Sequence, residues 1–428
     1  MLNVEEYLNN FYRGTKDNTL NAMKYFINKF ENFQKNMKFI HIAGTNGKGS
    51  CTEMLSSILI KQGYKVGKFM SPHLIRYNER ISINGIEISD KEMSNLIEEL
   101  KPIIDEYNKN ENTKVTLFEL ETIMGLLHFY RNNVDFVILE TGLGGLYDCT
   151  NIITKPIVSV ITSIGYDHMR ILGNTLPEIA SQKAGIIKKD SDTVIFEQET
   201  EVNNVFINEC NKKNNTLHIV KNSNIQNYHF DDKYQYFDYK EIKNICINLK
   251  GKVQIRNACV CIEVINVLNR CGYAIDIENI REGLKNVVHK GRMEQLNSNP
   301  IIVFDGAHNE PAIHNLLDMV NMYYKQKKRV YIISILARKD YQKMLKLLAK
   351  DEKATFVMTS GNDEKYTTPD ELYKCMNEYV NEDRIIKKDL KIAIQDAMDA
   401  DENTVNLVIG SFYTYGTVLD EIEKRKIK

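Results

Sequence analysis

Lys48 lies among three closely spaced glycines in the stretch HIAGTNGKGSC, His41 to Cys51. Gly44, Gly47 and Gly49 let a backbone turn tightly and approach a phosphate without side-chain clashes. Lys48 is a point charge suited to β- and γ-phosphates, and Ser50 can place its hydroxyl on Mg2+. An apolar run precedes the stretch and a helical pattern follows it, so N–H groups at the helix start, with its dipole, would face an anion. The spacing is not G-x-x-x-x-G-K-[ST]: Ile42 stands where the first glycine belongs, and Gly49 separates Lys48 from Ser50. A nucleotide site of another kind and a glycine-rich turn without a ligand both remain open on this stretch alone.

Four further stretches carry residues with chemical potential. In MSPHLIRYNERISINGIEIS, Ser71 lies just beyond an expected strand end, where ligands collect in open α/β sheets. The crowded Arg76, Asn78, Glu79 and Arg80 read locally as a solvated charged loop. In VILETGLGGLYDCTNI, Glu140 ends an apolar strand, a place from which a carboxylate can hold Mg2+ or simply face solvent. Past another strand end stands His168, and Lys183 is embedded in an otherwise apolar helical pattern. A buried lysine needs a partner, a lowered pKa or a modification such as a CO2-derived carbamate. In VFDGAHNE, Asp305 and His308 end a strand; the plainer alternative is a turn in which Asp305 and Asn309 act as caps.

Apolar runs of strand length must position these residues. MKFIHIAG, VGKFMS, VDFVILET, PIVSVITSI and DTVIFEQ read as strands, separated by helical patterns such as GSCTEMLSSILIKQG and TLPEIASQKAGIIKK. Continuous Val/Ile-rich strands alternating with helices predict a parallel sheet covered on both faces. From Leu217 to Leu249 the runs LHIV, YQYFDYK and KNICINLK are short, aromatic and close together, which predicts an antiparallel excursion. The helix QIRNACVCIEVINVLNRCG follows, and alternation resumes at PIIVFDGAH. The polar break NSNP, Asn297 to Pro300, sets the expected division into domains 1–296 and 297–428, with a cleft between them.

Composition narrows the function class. Lys and Arg total 56 against 57 for Asp and Glu, which offers nothing for nucleic acid or an acidic membrane to bind. The N-terminus lacks the basic and apolar regions of a signal peptide, and no apolar run approaches the roughly 18 residues of a membrane span. The eight cysteines form no C-x-x-C pair, so they read as reduced and mostly structural in a cytoplasmic protein.

Taken in order, GTNGKGS, SPHLIRYNERISING, ETGLGG-x-x-D-x-TNI, TSIGYDH-x-x-x-LG-x-T, KAGIIK and DGAHN resemble the ATP-dependent amide ligases of the Mur ligase superfamily. Within it the chain is most similar to the folylpolyglutamate synthase and dihydrofolate synthase family. The resemblance implies an N-terminal P-loop-type parallel-sheet ATPase domain with the folate site, and a smaller C-terminal Rossmann-like α/β domain for glutamate ligation. It implies that ATP phosphorylates a folate carboxylate and that the amine of L-glutamate displaces the phosphate. The acceptor would be a reduced folate, with dihydropteroate as a second possibility, and the enzyme a monomer.

Residue by residue, the resemblance puts Asn46, Gly47, Lys48, Gly49 and Ser50 around the triphosphate. Ser50, Ser71 and Glu140 surround one Mg2+; Glu140, His168 and carbamoylated Lys183 surround a second. It makes Asn257 an adenine contact, Arg292 a phosphate contact, Asp305 a nucleotide contact and His308 an orienting residue at the reaction centre. The pterin pocket maps onto Thr116, Leu117, Phe118 and Glu119 and onto Tyr147, Asp148 and Cys149. Phe118 offers a stacking face and Asp148 an acceptor for the amino-pyrimidine edge. The chain departs from the pattern at Leu146, Val253 and His289, and throughout RGTKDNTLNAMKYFINKF, Arg13 to Phe30. That last departure bears on dihydropteroate use and leaves the ligase chemistry untouched. Two alternatives stand beside this reading. One is a Mur-type ligase for a cell-wall precursor, disfavoured because too little chain precedes the loop for a UDP-binding domain. The other is a nucleotide-binding module without catalysis, disfavoured by the intact Lys48, Glu140, His168 and Lys183.

Overall fold

The computed structural model describes residues 3–13, 19–361 and 363–427. Two compact units divide the chain: residues 1–248 with 252–287, and 249–251 with 288–428.

Among the described residues, the first unit is built on an eight-stranded sheet. Its strands are β1 (Phe39–Ala43), β2 (Val66–Phe69), β3 (Ile81–Ile83), β4 (Ile86–Glu87), β5 (Phe136–Glu140), β6 (Val158–Ile161), β7 (Asp192–Phe196) and β8 (Thr216–Val220), in the order β4-β3-β2-β5-β1-β6-β7-β8. The strands from β2 to β8 in that order run parallel. Every residue of β1, β5 and β6 is buried, as the Val/Ile-rich runs predict for strands covered on both faces. At one edge β3 and β4 run antiparallel, turned back by Asn84 (φ 50°) and Gly85 (φ 79°), the two positive-φ residues that a tight hairpin favours. One face carries a core containing Phe26, Ile97, Leu120 and Phe129, and another core gathers Ala180, Ile187, Val202 and Phe206. Each fully buried side chain of this size contributes about 1.5–3 kcal/mol.

Part of the expected antiparallel excursion belongs elsewhere. LHIV lies in β8, which pairs parallel with β7 and extends the main sheet. The excursion proper is a three-stranded antiparallel sheet of β9 (Ile225–Phe230), β10 (Gln235–Tyr239) and β11 (Ile242–Ile247). The helix Lys252–Arg270 follows it in the first unit.

The second unit holds a six-stranded sheet, again among the described residues: β12 (Glu294–Ser298), β13 (Ile301–Asp305), β14 (Lys328–Ile333), β15 (Ala354–Met358), β16 (Ile385–Lys387) and β17 (Thr404–Ile409), ordered β12-β13-β17-β14-β15-β16. All are parallel except β12, which pairs antiparallel with β13. That pairing explains why the division falls at Val287/Val288 and not at the polar break around Asn297: β12 belongs to the sheet of the second unit, and the break is the turn that joins it to β13. Residues 249–251 also group with the second unit.

Helix starts follow local signals. Ser89, Thr116, Thr175 and Thr368 each accept a backbone N–H, while Glu92, Glu119, Glu178 and Glu371 reach back to close the capping box. Among the described residues no helix is long and apolar enough to cross a membrane.

Candidate active site

Four adjacent strands, β2, β5, β1 and β6, end at one edge of the first sheet, and most of the chemically able residues stand at those ends. Register aligns Ile42 with Glu140 and Phe69 with Leu139, so Glu140, the loop after Ala43 and the turn after Phe69 leave the sheet side by side. Glu140 is 3% exposed and ends β5. Ser50 is buried in the first turn of the helix Lys48–Lys61, and Ser71 is half-buried just past β2. Carboxyl ends of parallel strands are where open α/β sheets bind ligands.

The glycine-rich loop is held by the turn after β6. Thr45 N–H donates to Ser163 O at 2.8 Å, Ser163 Oγ donates to Asn46 O at 3.1 Å, and Thr45 Oγ1 donates to Gly165 O at 3.1 Å. Gly47 caps the helix with φ 92°, and a Cβ there would stand 2.8 Å from Oδ1 of Asn257. Asn257 is buried on the helix Lys252–Arg270, and its Nδ2 donates to Gln254 Oε1 at 3.0 Å. Asn257, the expected adenine contact, is thus packed against the glycine-rich loop.

Lysines 48 and 183 converge. Lys48 Nζ donates to Gly44 O at 3.1 Å, and Lys183 Nζ donates to the same oxygen at 2.8 Å. Lys183 is 3% exposed, and its pKa is pushed down to about 7, chiefly by burial and then by the charge of Lys48, with Asp167 and Asp148 opposing. A lysine so placed holds a substantial neutral fraction near pH 7, the form that adds CO2. His168 is exposed and in the left-handed conformation (φ 50°), its backbone N–H donating to Asp167 Oδ1 at 2.9 Å and its Nε2 3.8 Å from the same oxygen. Sequence reasoning passed over Asp167; an acid directly beside a strand-end histidine was the available signal.

No group of three or more His, Cys, Asp or Glu side chains among the described residues is arranged to hold a metal. The donors at this edge are instead two hydroxyls, of Ser50 and Ser71, and the Glu140 carboxylate. A set of few protein oxygens fits Mg2+, which keeps several waters and takes phosphate oxygens, and a carbamate on Lys183 would add oxygen donors of the same hard type.

The expected pterin residues divide. Phe118 is half-buried, its ring 5.9 Å from that of Phe69 and lying against Gly142, where a Cβ would come within 2.5 Å of it. Thr116 and Glu119 hold each other in the capping box of the helix Leu117–Arg131, so both side chains are committed to that helix start. Leu117 and Cys149 are buried, and Tyr147 is 39% exposed. Asp148 is 5% exposed, and its carboxylate accepts from Leu143 N–H at 2.8 Å, Thr150 N–H at 3.0 Å and Thr150 Oγ1 at 2.5 Å. Leu146 N–H donates to Gln182 O at 2.7 Å, which ties this loop to the helix bearing Lys183. Tyr12 O accepts from Leu117 N–H at 2.8 Å, so the divergent N-terminal segment adjoins one that meets the expected pterin residues; its residues 14–18 lie outside the described residues.

The local reading of Arg80 as solvated is corrected. Its side chain is 11% exposed and pairs with Glu121 Oε2 at 2.7 Å, while its Nε donates to His73 Nδ1 at 2.9 Å. Burial raises the Glu121 pKa against the opposing charge of Arg80. Spacing could not show this, because Glu121 comes from the helix Leu117–Arg131.

In the second unit, Asp305 is 5% exposed and accepts from Met293 N–H at 2.9 Å and Ala307 N–H at 2.8 Å; burial raises its pKa, with Arg292 opposing. Asn309 caps the helix Glu310–Tyr323. His308 Nδ1 lies 2.7 Å from Gly306 O, and its ring is 5.7 Å from Phe412. The Arg292 guanidinium stacks over the same ring at 4.5 Å. Phe412 therefore gathers Arg292 and His308. Cys51, Cys149, Cys210, Cys259, Cys261 and Cys375 are buried, and all eight cysteines are free.

Two family models match: the Mur ligase middle domain over residues 42–265 and the Mur ligase glutamate ligase domain over 291–412. The chain is 38% identical to the dihydrofolate synthase/folylpolyglutamate synthase of Bacillus subtilis over 77% of this chain and 78% of that protein. It is 30% identical to the folylpolyglutamate synthase of Lacticaseibacillus casei over 96% of each. Among solved structures, Mycobacterium tuberculosis folylpolyglutamate synthase complexed with ADP superposes with a TM-score of 0.89 at 26% identity, covering 99% of this chain and 97% of that one. The glycine-rich loop of the opening stretch thus lies within the matched middle domain, and the chain belongs to the folylpolyglutamate synthase/dihydrofolate synthase family of Mur ligases.

Proposed function

We propose that this chain joins L-glutamate to the γ-carboxylate of tetrahydrofolate, with ATP converted to ADP and phosphate. A carboxylate oxygen attacks the γ-phosphorus and ADP leaves. The glutamate amine then attacks the acyl carbon, loses a proton, and the tetrahedral intermediate expels phosphate to leave the amide. The observation that carries this reading is the convergence of Lys48 and Lys183 on Gly44 O, beside Glu140, in a chain whose relatives bear folate ligase names. Those names favour folate over a cell-wall precursor.

In this reading Asn46, Gly47, Lys48, Gly49 and Ser50 bind the triphosphate, and Asn257, packed on Gly47, meets the adenine. Ser50, Ser71 and Glu140 would hold one Mg2+; Glu140, His168 and a carbamate on Lys183 would hold a second. Bound Mg2+ supplies positive charge that offsets the crowded phosphate and carboxylate oxygens. Arg292 and Asp305 contact the nucleotide and His308 orients the reacting groups. Phe118 stacks on the pterin; Asp148 and its loop, with Thr116, Leu117, Glu119, Tyr147 and Cys149, shape that pocket. We assign the protein to the cytoplasm as a monomer acting on small molecules.

Whether dihydropteroate is a second acceptor is tested by ATP- and Mg2+-dependent incorporation of labelled glutamate, with dihydropteroate and tetrahydrofolate monoglutamate offered separately. Product with both identifies a bifunctional enzyme. Product with tetrahydrofolate alone identifies a polyglutamylation enzyme and points to the divergent segment 13–30. No product with either, from folded and ATP-binding protein, rejects the proposal.

A further inference from the structure

We infer that His41 is a positioning residue for the folate loop: its imidazole, acting through Thr150, sets the carboxylate of Asp148. The inference rests on the folate reading of Asp148 given above.

His41 is fully buried in the middle of β1, which is paired on both sides and leads into the phosphate loop. Its Nε2 lies 2.8 Å from Thr150 Oγ1, and that oxygen lies 2.5 Å from Asp148 Oδ1. A carboxylate only accepts and a threonine hydroxyl has one proton, so the hydroxyl donates to Asp148. The threonine oxygen must then accept from the imidazole, which places the ring proton on Nε2. Burial, aided by the charge of Lys188, pushes the His41 pKa down to about 3, so the ring is neutral and the relay is unchanged through the working pH range.

An imidazole here has a cost. Nδ1 is buried with no hydrogen-bond partner among the described residues, a loss that an apolar side chain in the same strand would avoid. The bond from Nε2 is what the ring provides in return. That bond ends on Thr150 Oγ1, which donates to a carboxylate that also accepts Leu143 N–H and Thr150 N–H, so three bonds orient Asp148 within the loop following Glu140. The relay thus runs from the strand that carries the phosphate loop to the loop assigned to the pterin.

The test compares Thr150→Val, His41→Phe, His41→Gln and Asp148→Asn in steady-state assays, varying tetrahydrofolate monoglutamate and ATP in turn. Thr150→Val and His41→Phe are expected to raise the folate KM about tenfold, the loss of one bond in a charge-assisted chain, with the ATP KM unchanged. His41→Gln carries an amide N–H to the region of Nε2 and is expected to restore most of the folate KM. Equal rises in both KM values would make His41 a strut of β1 and overturn the inference. An unchanged folate KM in Asp148→Asn rejects the folate reading of Asp148, and the inference with it. A raised folate KM in Asp148→Asn beside an unchanged one in Thr150→Val rejects the inference alone. Thr150→Val is nearly isosteric and lies outside β1, so an unchanged folate KM there overturns the inference even where His41→Phe does not fold, and His41→Gln then carries the test of the imidazole itself.

Discussion

Lys48 and Lys183 donate to one acceptor, the carbonyl oxygen of Gly44, at 3.1 and 2.8 Å. Two ammonium groups sharing a carbonyl at the start of the glycine-rich loop repel each other, and burial together with the charge of Lys48 lowers the pKa of Lys183. Lys183→Ala is expected to lower kcat at least about a hundredfold, as removal of a group acting on transition-state charge does, while the circular dichroism spectrum stays native. Near-normal turnover would sink the assignment of Lys183 to the metal centre. Exposure of the wild-type protein to 13C-labelled bicarbonate should give a carbamate NMR signal absent from Lys183→Ala.

The same lysine makes stability depend on pH. Its pKa is about 7 in the folded chain against an ordinary 10.5, so between these values the unfolded chain binds a proton that the folded chain does not. Folding stability therefore rises as pH increases through that window; the penalty is fully present below about 7. The effect is bounded at about 5 kcal/mol. Urea midpoints measured from neutral to alkaline pH in CO2-free buffer should climb for the wild type relative to Lys183→Met; parallel curves would show that the folded lysine titrates normally.

Gly47→Ala places a Cβ at φ 92° and 2.8 Å from Asn257 Oδ1. The left-handed conformation alone costs about 1–2 kcal/mol, and the clash adds to it. Calorimetric titration should find weaker ATP binding, because the loop and Asn257 must separate. Gly47→Ala combined with Asn257→Ala should regain stability but not affinity, and unaltered affinity in the single variant would count against the loop as the triphosphate site.

Arg80 and Glu121 form a buried pair at 2.7 Å. Arg80→Met strands the carboxylate and should cost about 3–5 kcal/mol, whereas Arg80→Met with Glu121→Leu should recover most of that loss. Chemical denaturation of the two singles and the double variant measures the coupling. A coupling near zero would mean that Glu121 finds another partner.

Much of the site was legible because its chemistry is written in local residue types. Glycines around Lys48, Glu140 at the end of an apolar strand and the helical run around Lys183 announced themselves through spacing, and the alternation of strands and helices announced an α/β fold. LHIV was misplaced because a short apolar run pairs equally well with the main sheet or with a separate hairpin. Capping also hid within the motif TLFEL: Thr116 and Glu119 match a pterin pocket in sequence and begin a helix in space.

By itself the sequence determined which residues can bind phosphate, ligate Mg2+ or stack on a ring, since those capacities belong to side chains and to short backbone turns. Tertiary structure decided which of them meet and in what protonation state. Lys183 stands 139 positions from Gly44, Thr150 109 from His41, and Glu121 41 from Arg80. Desolvation and hydrogen-bond partners depend on what the packed chain places around a group, and separations of that length carry no local signal. That is why the lysine could be recognised in the sequence, while its shared acceptor and its lowered pKa emerged only in the fold.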